Sequence, residues 1–417
     1  MRKPIIILCL LATVSCNKGL VDKTPGNATN TKSLVLSPAQ QQIANAGNGF
    51  TFKLLNRLFS LGFNGSNTPC NGLLSPLSIS MALSMSANGA NGPTLDSIMQ
   101  TLDLQAYNLS QVNTLNQTLV TGLPQLDPST SMKIANSLWY KNTFTPLPAF
   151  LKTDSAYYQA TVQALDFTTA SAPQTINNWV NLQTNGKITN IVGAIPASTV
   201  MYLINTVYFK GAWTQSFNTA NTTTATFSPA TGGPVQASFM NGNQTFNTTN
   251  TADGSTVAEL PYGNGKYSMV LLMPQEGVSL AQYAAPLDSS KWGALTASLK
   301  PTTAQLTLPK FTFSYAVDLT SILSTIGMSI AFSNQADFSR INADGGLTIS
   351  DILHKTYIAV DETGTEAAAA TSVGITATAV VANRYVFNRP FLFFIRETDT
   401  NLIVFAGVLN NPLLTGN

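Results

Sequence analysis

The stretch that decides the fold is Asp361-Glu362-Thr363-Gly364-Thr365-Glu366-Ala367-Ala368-Ala369-Ala370-Thr371-Ser372-Val373-Gly374-Ile375-Thr376-Ala377-Thr378-Ala379-Val380-Val381-Ala382-Asn383. After Glu366 it carries no charge until Arg384, and nearly every residue is small. Read as a strand, it has two unequal faces. Thr365, Ala367, Ala369, Thr371, Val373, Ile375 and Ala377 form one face, uncharged and more apolar along the chain. Glu366, Ala368, Ala370, Ser372, Gly374 and Thr376 form the other. The first face is fit for burial. Yet four alanines flanked by glycines anchor a core poorly, and an exposed uncharged β-prone segment invites aggregation. The two properties are reconciled if the segment is a strand held outside its sheet for a purpose.

Around this stretch the chain reads as helices early and strands late, interleaved throughout. Phe50, Leu54, Leu55, Leu58 and Phe59 recur at helical spacing. Ser75-Pro76 offers an N-cap and a first-turn proline. The run Leu77 to Ala87 that follows is small and apolar on nearly every side, so it belongs inside the protein. Leu95, Ile98, Met99 and Leu102 suggest another helix, as do Ile176, Val180 and Leu182. A further helix is expected from Thr320 to Met328. Strands are expected over Met132 to Tyr140, Val200 to Phe209, Ser268 to Met273 and Gln305 to Phe313. Tyr357 to Val360, Tyr385 to Phe387, Phe391 to Ile395 and Ile403 to Val408 complete the set. The order argues for one α+β domain over residues 47–417.

The N-terminus reads as an export signal over residues 1–16. Arg2 and Lys3 are its charged start, and Ile5 to Ala12 form an apolar run too short to span a bilayer. It ends in Thr13-Val14-Ser15-Cys16, which looks like a bacterial lipobox with Cys16 placed for lipidation. Residues 17–46, rich in Asn, Thr, Lys, Pro and Gly, then read as a flexible tether. The expected product is an exported outer-membrane or cell-surface lipoprotein, facing the periplasm or the cell exterior and touching membrane only through its lipid. Cys9 leaves with the signal and Cys16 carries lipid. Cys70 is then alone, so no intramolecular disulfide is expected.

Composition removes several function classes. The formal net charge is +2 with no basic stripe, so nucleic acid is not an expected partner. There is one histidine, His354. A histidine-rich metal site is excluded, and no cysteine cluster replaces it. No Gly-x-Ser-x-Gly elbow, phosphate loop or dinucleotide fingerprint occurs. No cofactor, no metal and no catalytic residue are expected. A hydrolase would have to use His354 as its base.

The segment Glu362-Thr363-Gly364-Thr365-Glu366-Ala367-Ala368-Ala369-Ala370-Thr371 resembles the hinge of inhibitory serpins. Other stretches that resemble this family follow in its order. They are Leu74-Ser75-Pro76-Leu77-Ser78, Asn136-Ser137-Leu138-Trp139 and Asn205-Thr206-Val207-Tyr208-Phe209-Lys210-Gly211-Ala212-Trp213. Glu259-Leu260-Pro261-Tyr262, Leu308-Pro309-Lys310-Phe311, Ile352-Leu353-His354-Lys355-Thr356 and Asn388-Arg389-Pro390-Phe391 complete it. The resemblance implies three sheets, eight or nine helices and an exposed reactive-centre loop. It implies a monomer that is not an enzyme but a suicide substrate. A protease attacks the loop and forms an acyl-enzyme, and the cut loop enters the main sheet. About 12 to 15 inserted residues, at roughly 0.5–1.5 kcal/mol per hydrogen bond, supply on the order of 10 kcal/mol. By the same resemblance Ser75, Ser78, Asn205 and His354 form a polar cluster beneath the sheet. Trp213 marks where insertion starts, and Lys310 pairs with Glu362.

Family spacing counted forward from Gly364 puts the scissile bond at Thr378–Ala379. Counted backward from Pro390 it falls at Ala379–Val380. No Lys or Arg lies between Lys355 and Arg384, and no aromatic or Leu between Tyr357 and Tyr385. Small residues suit the small primary pockets of elastase-like and subtilisin-like serine proteases. Two other functions stay open: a non-inhibitory serpin acting as a binding protein, and a surface lipoprotein that binds glycans or matrix.

Overall fold

Ser75 sets the first buried helix of the molecule. Its side chain accepts a hydrogen bond from the Ser78 amide, and Pro76 takes the first helical turn, where no donor is needed. The helix that follows packs between two sheets, touching a strand of each. Its run of small and apolar residues is what lets both sheets approach.

The computed structural model describes residues 32–63, 70–366 and 383–416. Among them are nine α-helices: α1 (Pro38–Leu61), α2 (Pro76–Gly89), α3 (Gly92–Thr101), α4 (Leu109–Gly122), α5 (Pro148–Tyr158), α6 (Ser171–Gln183), α7 (Leu280–Ala284), α8 (Ser289–Ser298) and α9 (Thr320–Leu323). The described strands are β1 (Gly72–Leu74), β2 (Thr130–Lys141), β3 (Thr161–Leu165), β4 (Met201–Ala212), β5 (Thr223–Phe227), β6 (Val235–Thr248), β7 (Thr256–Tyr262), β8 (Tyr267–Met273), β9 (Lys300–Pro309), β10 (Phe311–Asp318), β11 (Leu353–Asp361), β12 (Gly364–Thr365), β13 (Arg384–Val386), β14 (Phe391–Glu397) and β15 (Ile403–Leu409).

The main sheet has six strands in the order β10-β11-β12-β4-β2-β3. All its neighbours are antiparallel except β2 and β3. The second sheet runs β1-β15-β14-β8-β7-β6-β9-β13, with β5 attached to β6. Three sheets were expected, and two are connected by hydrogen bonds. The reason is one residue pair, Asn247 with Glu259, which alone joins β6 to β7 and fuses two otherwise separate halves.

The α+β class holds, with local corrections. The tether expected over residues 17–46 is too long. Ser37 and Gln40 form a capping box, Pro38 takes the first turn, and α1 starts there. Leu34 is buried ahead of it. The expected strand from Gln305 to Phe313 is two strands that break at Lys310. The expected helix to Met328 stops at Leu323 and continues as a π-type turn, where Gly327 adopts a φ of 136°. Leu182 is 72% exposed, because it lies off the face that Ile176 and Val180 bury. Those two residues belong to a small separate core with Trp139, Phe167 and Ile204, trapped between α6 and the main sheet.

Candidate functional site

The site begins where β11 ends. The Asp361 carboxylate accepts from the Thr363 amide at 2.8 Å, the Thr363 hydroxyl at 2.6 Å and the Gly364 amide at 3.3 Å. This local turn reverses the chain. Gly364 has a φ of 151°, and a Cβ there would lie 2.0 Å from the Gly211 carbonyl oxygen. Only glycine fits so close to β4.

The reversed chain enters the main sheet at once. Gly364 and Thr365 form β12, paired with Asp361 and Val360 on one side and with Ala212 and Gly211 on the other. The Thr365 side chain is 2% exposed, and its hydroxyl lies 2.6 Å from that of Tyr262. Thr365 was expected outside the sheet at the point where insertion starts. It already sits inside, because its small side chain fits the core and finds a partner there. The Glu366 amide still donates to the Ala359 carbonyl at 2.9 Å, but Glu366 turns out of the strand with a φ of 54°. Its carboxylate lies 3.9 Å from Lys187 Nζ, which also covers the Tyr357 ring at 4.5 Å. Burial pushes the Glu366 carboxyl up, against the pull of Lys187.

Two groups hold the root of this hinge. Glu362 accepts from Lys310 Nζ at 2.8 Å and from the Thr222 hydroxyl at 2.6 Å. Burial works to raise its carboxyl pKa, but these bonds outweigh it and hold the value below the usual range. The Trp213 ring stacks on Tyr262 with centroids 4.6 Å apart, and its Nε1 donates to the Asp361 carbonyl at 3.0 Å. The Trp213 amide donates to the Thr363 carbonyl at 2.9 Å.

Beyond β12, no described strand lies between β4 and β11. A cavity of about 370 Å³ opens there, floored by Ser78 and Ile79 of α2 and walled by Leu203, Asn205, Ile352 and His354. The polar cluster sits in its floor. The Ser75 amide donates to His354 Nε2 at 3.0 Å, and the Ser75 hydroxyl donates to the Val404 carbonyl at 3.0 Å. The Ser78 hydroxyl donates to the Asn205 carbonyl at 3.3 Å. Asn205 Nδ2 donates to Asn136 Oδ1 at 2.6 Å, while Asn205 Oδ1 is buried with no partner among the described residues. Burial lowers the His354 pKa to about 4, so the ring is neutral and its Nε2 is an acceptor.

Ser75, Ser78, Asn205 and His354 are therefore one cluster, and Glu362, Gly364, Thr365, Glu366, Trp213 and Lys310 are another. Asp361, Tyr262, Thr222 and Asn136 join them without having been singled out. Asp361 was visible as an Asp two residues before a Thr-Gly turn. Tyr262 ends a family-like stretch, but nothing local marked its meeting with Thr365, since it arrives from the other sheet. Ala367, Ala368, Ala369, Ala370, Thr371, Thr378 and Ala379 lie outside the described residues, as does Cys16.

Residues 45–412 match the family described as Serpin (serine protease inhibitor). The chain belongs to the serpin family. Serpin B3 of Homo sapiens is 33% identical over 364 residues, covering 81% of this serpin and 93% of that protein. The leukocyte elastase inhibitor of Xenopus laevis is 32% identical over 385 residues, covering 89% of this chain and 100% of that protein. Among solved structures, the thermophilic serpin tengpin in its native state has a TM-score of 0.81 at 33% identity, covering 90% of this chain and 95% of that one. Human thyroxine-binding globulin, complexed with its hormone, has a TM-score of 0.81 at 28% identity, covering 90% and 99%. The hinge root, the slot and the polar floor of this serpin thus lie in a fold shared with thyroxine-binding globulin and with the thermophilic serpin tengpin.

Proposed function

We propose that this serpin is a single-use inhibitor whose cut loop completes the main sheet. The observation that carries the reading is β12. Two hinge residues are wedged between β4 and β11, and no described strand continues them. The β12 register supports a specific end state. Six residues on from Thr365, Thr371 would fall opposite Asn205 and His354, which stand six residues before Gly211 and Val360. Its hydroxyl would meet the Asn205 oxygen that lacks a donor.

The chemistry is acyl transfer interrupted. The protease serine oxygen attacks the carbonyl carbon of Thr378, or of Ala379 in the other register. The bond to the next nitrogen breaks, and the proton goes to that leaving amine. Insertion then carries the ester away before water reaches it. Elastase-like and subtilisin-like serine proteases are the targets that the small loop residues suit. The likeness to a leukocyte elastase inhibitor supports the same choice. The working protein is a monomer, lipidated at Cys16, exported, and held at the outer membrane or cell surface.

Incubation with pancreatic elastase, subtilisin, trypsin and chymotrypsin, followed by denaturing gels, tests this. An SDS-stable adduct with the first two is expected. Cleavage without any adduct overturns the reading. A second reading, a non-inhibitory binding protein, is favoured by the likeness to thyroxine-binding globulin. The small residues of the hinge argue against it, and absence of adducts with the whole panel would turn the balance.

A further inference from the structure

A group of uncharged polar side chains surrounds one acid in the helical layer. Asp154 of α5 is 0% exposed. Its Oδ1 accepts from Asn88 Nδ2 of α2 at 2.9 Å, and its Oδ2 is buried with no partner among the described residues. Asn88 and Asn113 of α4 exchange two hydrogen bonds, at 3.2 and 2.9 Å. The buried Tyr158 hydroxyl donates to Asn113 Oδ1 at 2.7 Å and accepts from Asn116 Nδ2 at 3.2 Å.

Among the described residues no cation is paired with this acid. Of the elements packed most extensively on α5, namely α2, α4 and β3, none contains Asp, Glu, Lys, Arg or His. Arg340, in the segment that meets the start of α5 through the Leu147 amide and the Ile341 carbonyl, bonds Asn91 instead. On α5 itself Lys152 is exposed, Tyr157 is half-buried and Tyr158 is neutral. From β2, which reaches α5 through Asn136, Lys133, Tyr140 and Lys141 make no bond to it. An ionised carboxylate here would lose its water and gain no opposite charge, so the neutral acid is favoured. Burial accordingly pushes the Asp154 carboxyl well above the usual range.

The acid is continuous with the floor of the slot. The Tyr158 carbonyl accepts from Asn136 Nδ2 at 2.7 Å, and Asn136 Oδ1 accepts from Asn205 Nδ2 at 2.6 Å. We propose that Asp154 is a proton-loaded clasp: its neutral carboxyl fastens α5 to Asn88 of α2, and through Asn88 to Asn113 of α4, and loss of the proton to water as pH rises loosens the layer beneath the slot. The sign follows from linkage. The pKa is raised on folding, so the stabilisation is complete below the unfolded value near 3.9 and is lost as pH rises through the folded value. Across that window the unfolding constant grows by up to tenfold per pH unit.

The test labels the full chain with ¹³C at aspartate side-chain carboxyls and titrates it by NMR. One aspartate signal should titrate at a pH well above all the others in the wild type and vanish in Asp154→Asn. Titration of every aspartate within the ordinary carboxylate range overturns the proposal, and the wild-type titration decides this even if the variant does not fold. The link to the slot rests on the inhibitor reading and has its own readout. Spontaneous loss of inhibitory activity should quicken in the wild type as pH rises through the titration of that signal and stay flat in Asp154→Asn. Equal pH dependence in both overturns the link. A chain that forms no protease adduct bears on the inhibitor reading alone, since the titration needs no protease.

Discussion

The hydroxyls of Thr365 and Tyr262 lie 2.6 Å apart, which ties the first inserted side chain of the hinge to the last residue of a strand in the other sheet. The Tyr262 ring is in turn stacked on Trp213. The hinge is thus already anchored at a junction of both sheets. Removing the Tyr262 hydroxyl leaves that of Thr365 buried without its partner, at about 1–3 kcal/mol. Tyr262→Phe should therefore speed amide exchange at Gly364 to Glu366 by roughly five- to 150-fold. Unchanged exchange would mean that β12 is held by its backbone alone.

Thr365→Arg places a guanidinium where a side chain is 2% exposed. Unpaired burial of that charge costs several kcal/mol, so the hinge is expelled and insertion stalls. The variant should be cleaved by elastase as an ordinary substrate, with no covalent adduct on a denaturing gel. An adduct in wild-type yield would show that the side chain does not enter the sheet.

At the hinge root, the two partners of one ion pair should differ in weight. Lys310 is 38% exposed, so Lys310→Met should cost no more than about 1 kcal/mol. Glu362→Ala also strips the Thr222 hydroxyl of its acceptor and should lower the urea midpoint more. Because the Glu362 carboxyl is held below its usual range, its stabilisation is present above the unfolded value and fades as pH falls. The gap between wild type and Glu362→Ala should close below a pH of about 4.

The slot floor carries a second pH dependence of known direction. His354 is neutral when folded, with a pKa lowered to about 4 by burial. The unfolded chain therefore binds the extra proton first, and stability falls as pH drops from about 6.5 towards that value. His354→Gln keeps an acceptor for the Ser75 amide and should remove this slope. Urea unfolding of both chains between pH 4 and 7 measures it, and equal slopes would contradict a buried neutral ring.

Much of this was legible in the residues because it is local. The Ser75-Pro76 cap and the buried run from Leu77 follow from spacing and residue size. The polar cluster and the hinge root were read from resemblance, and the described residues of each lie together in space. What escaped depends on distant partners. Tyr262 reaches Thr365 across two sheets, and Asn136 looks like any polar residue of a strand until Asn205 is beside it. The strand β6 was missed because its Asn and Thr residues blur alternation. The fusion of two sheets hangs on the single pair Asn247 and Glu259, which no pattern announces. The helix expected from Thr320 to Met328 runs past the regular helix because the turn bent at Gly327 depends on its φ of 136°, which spacing does not show.

The central claim is that energy is stored in a sheet left incomplete between β4 and β11. Thermal unfolding of the intact chain and of the chain nicked in its reactive loop measures that store directly. A sharp rise in melting temperature on nicking is expected, as the freed strand fills the gap over Asn205 and His354. Equal or lower melting of the nicked chain would contradict the account.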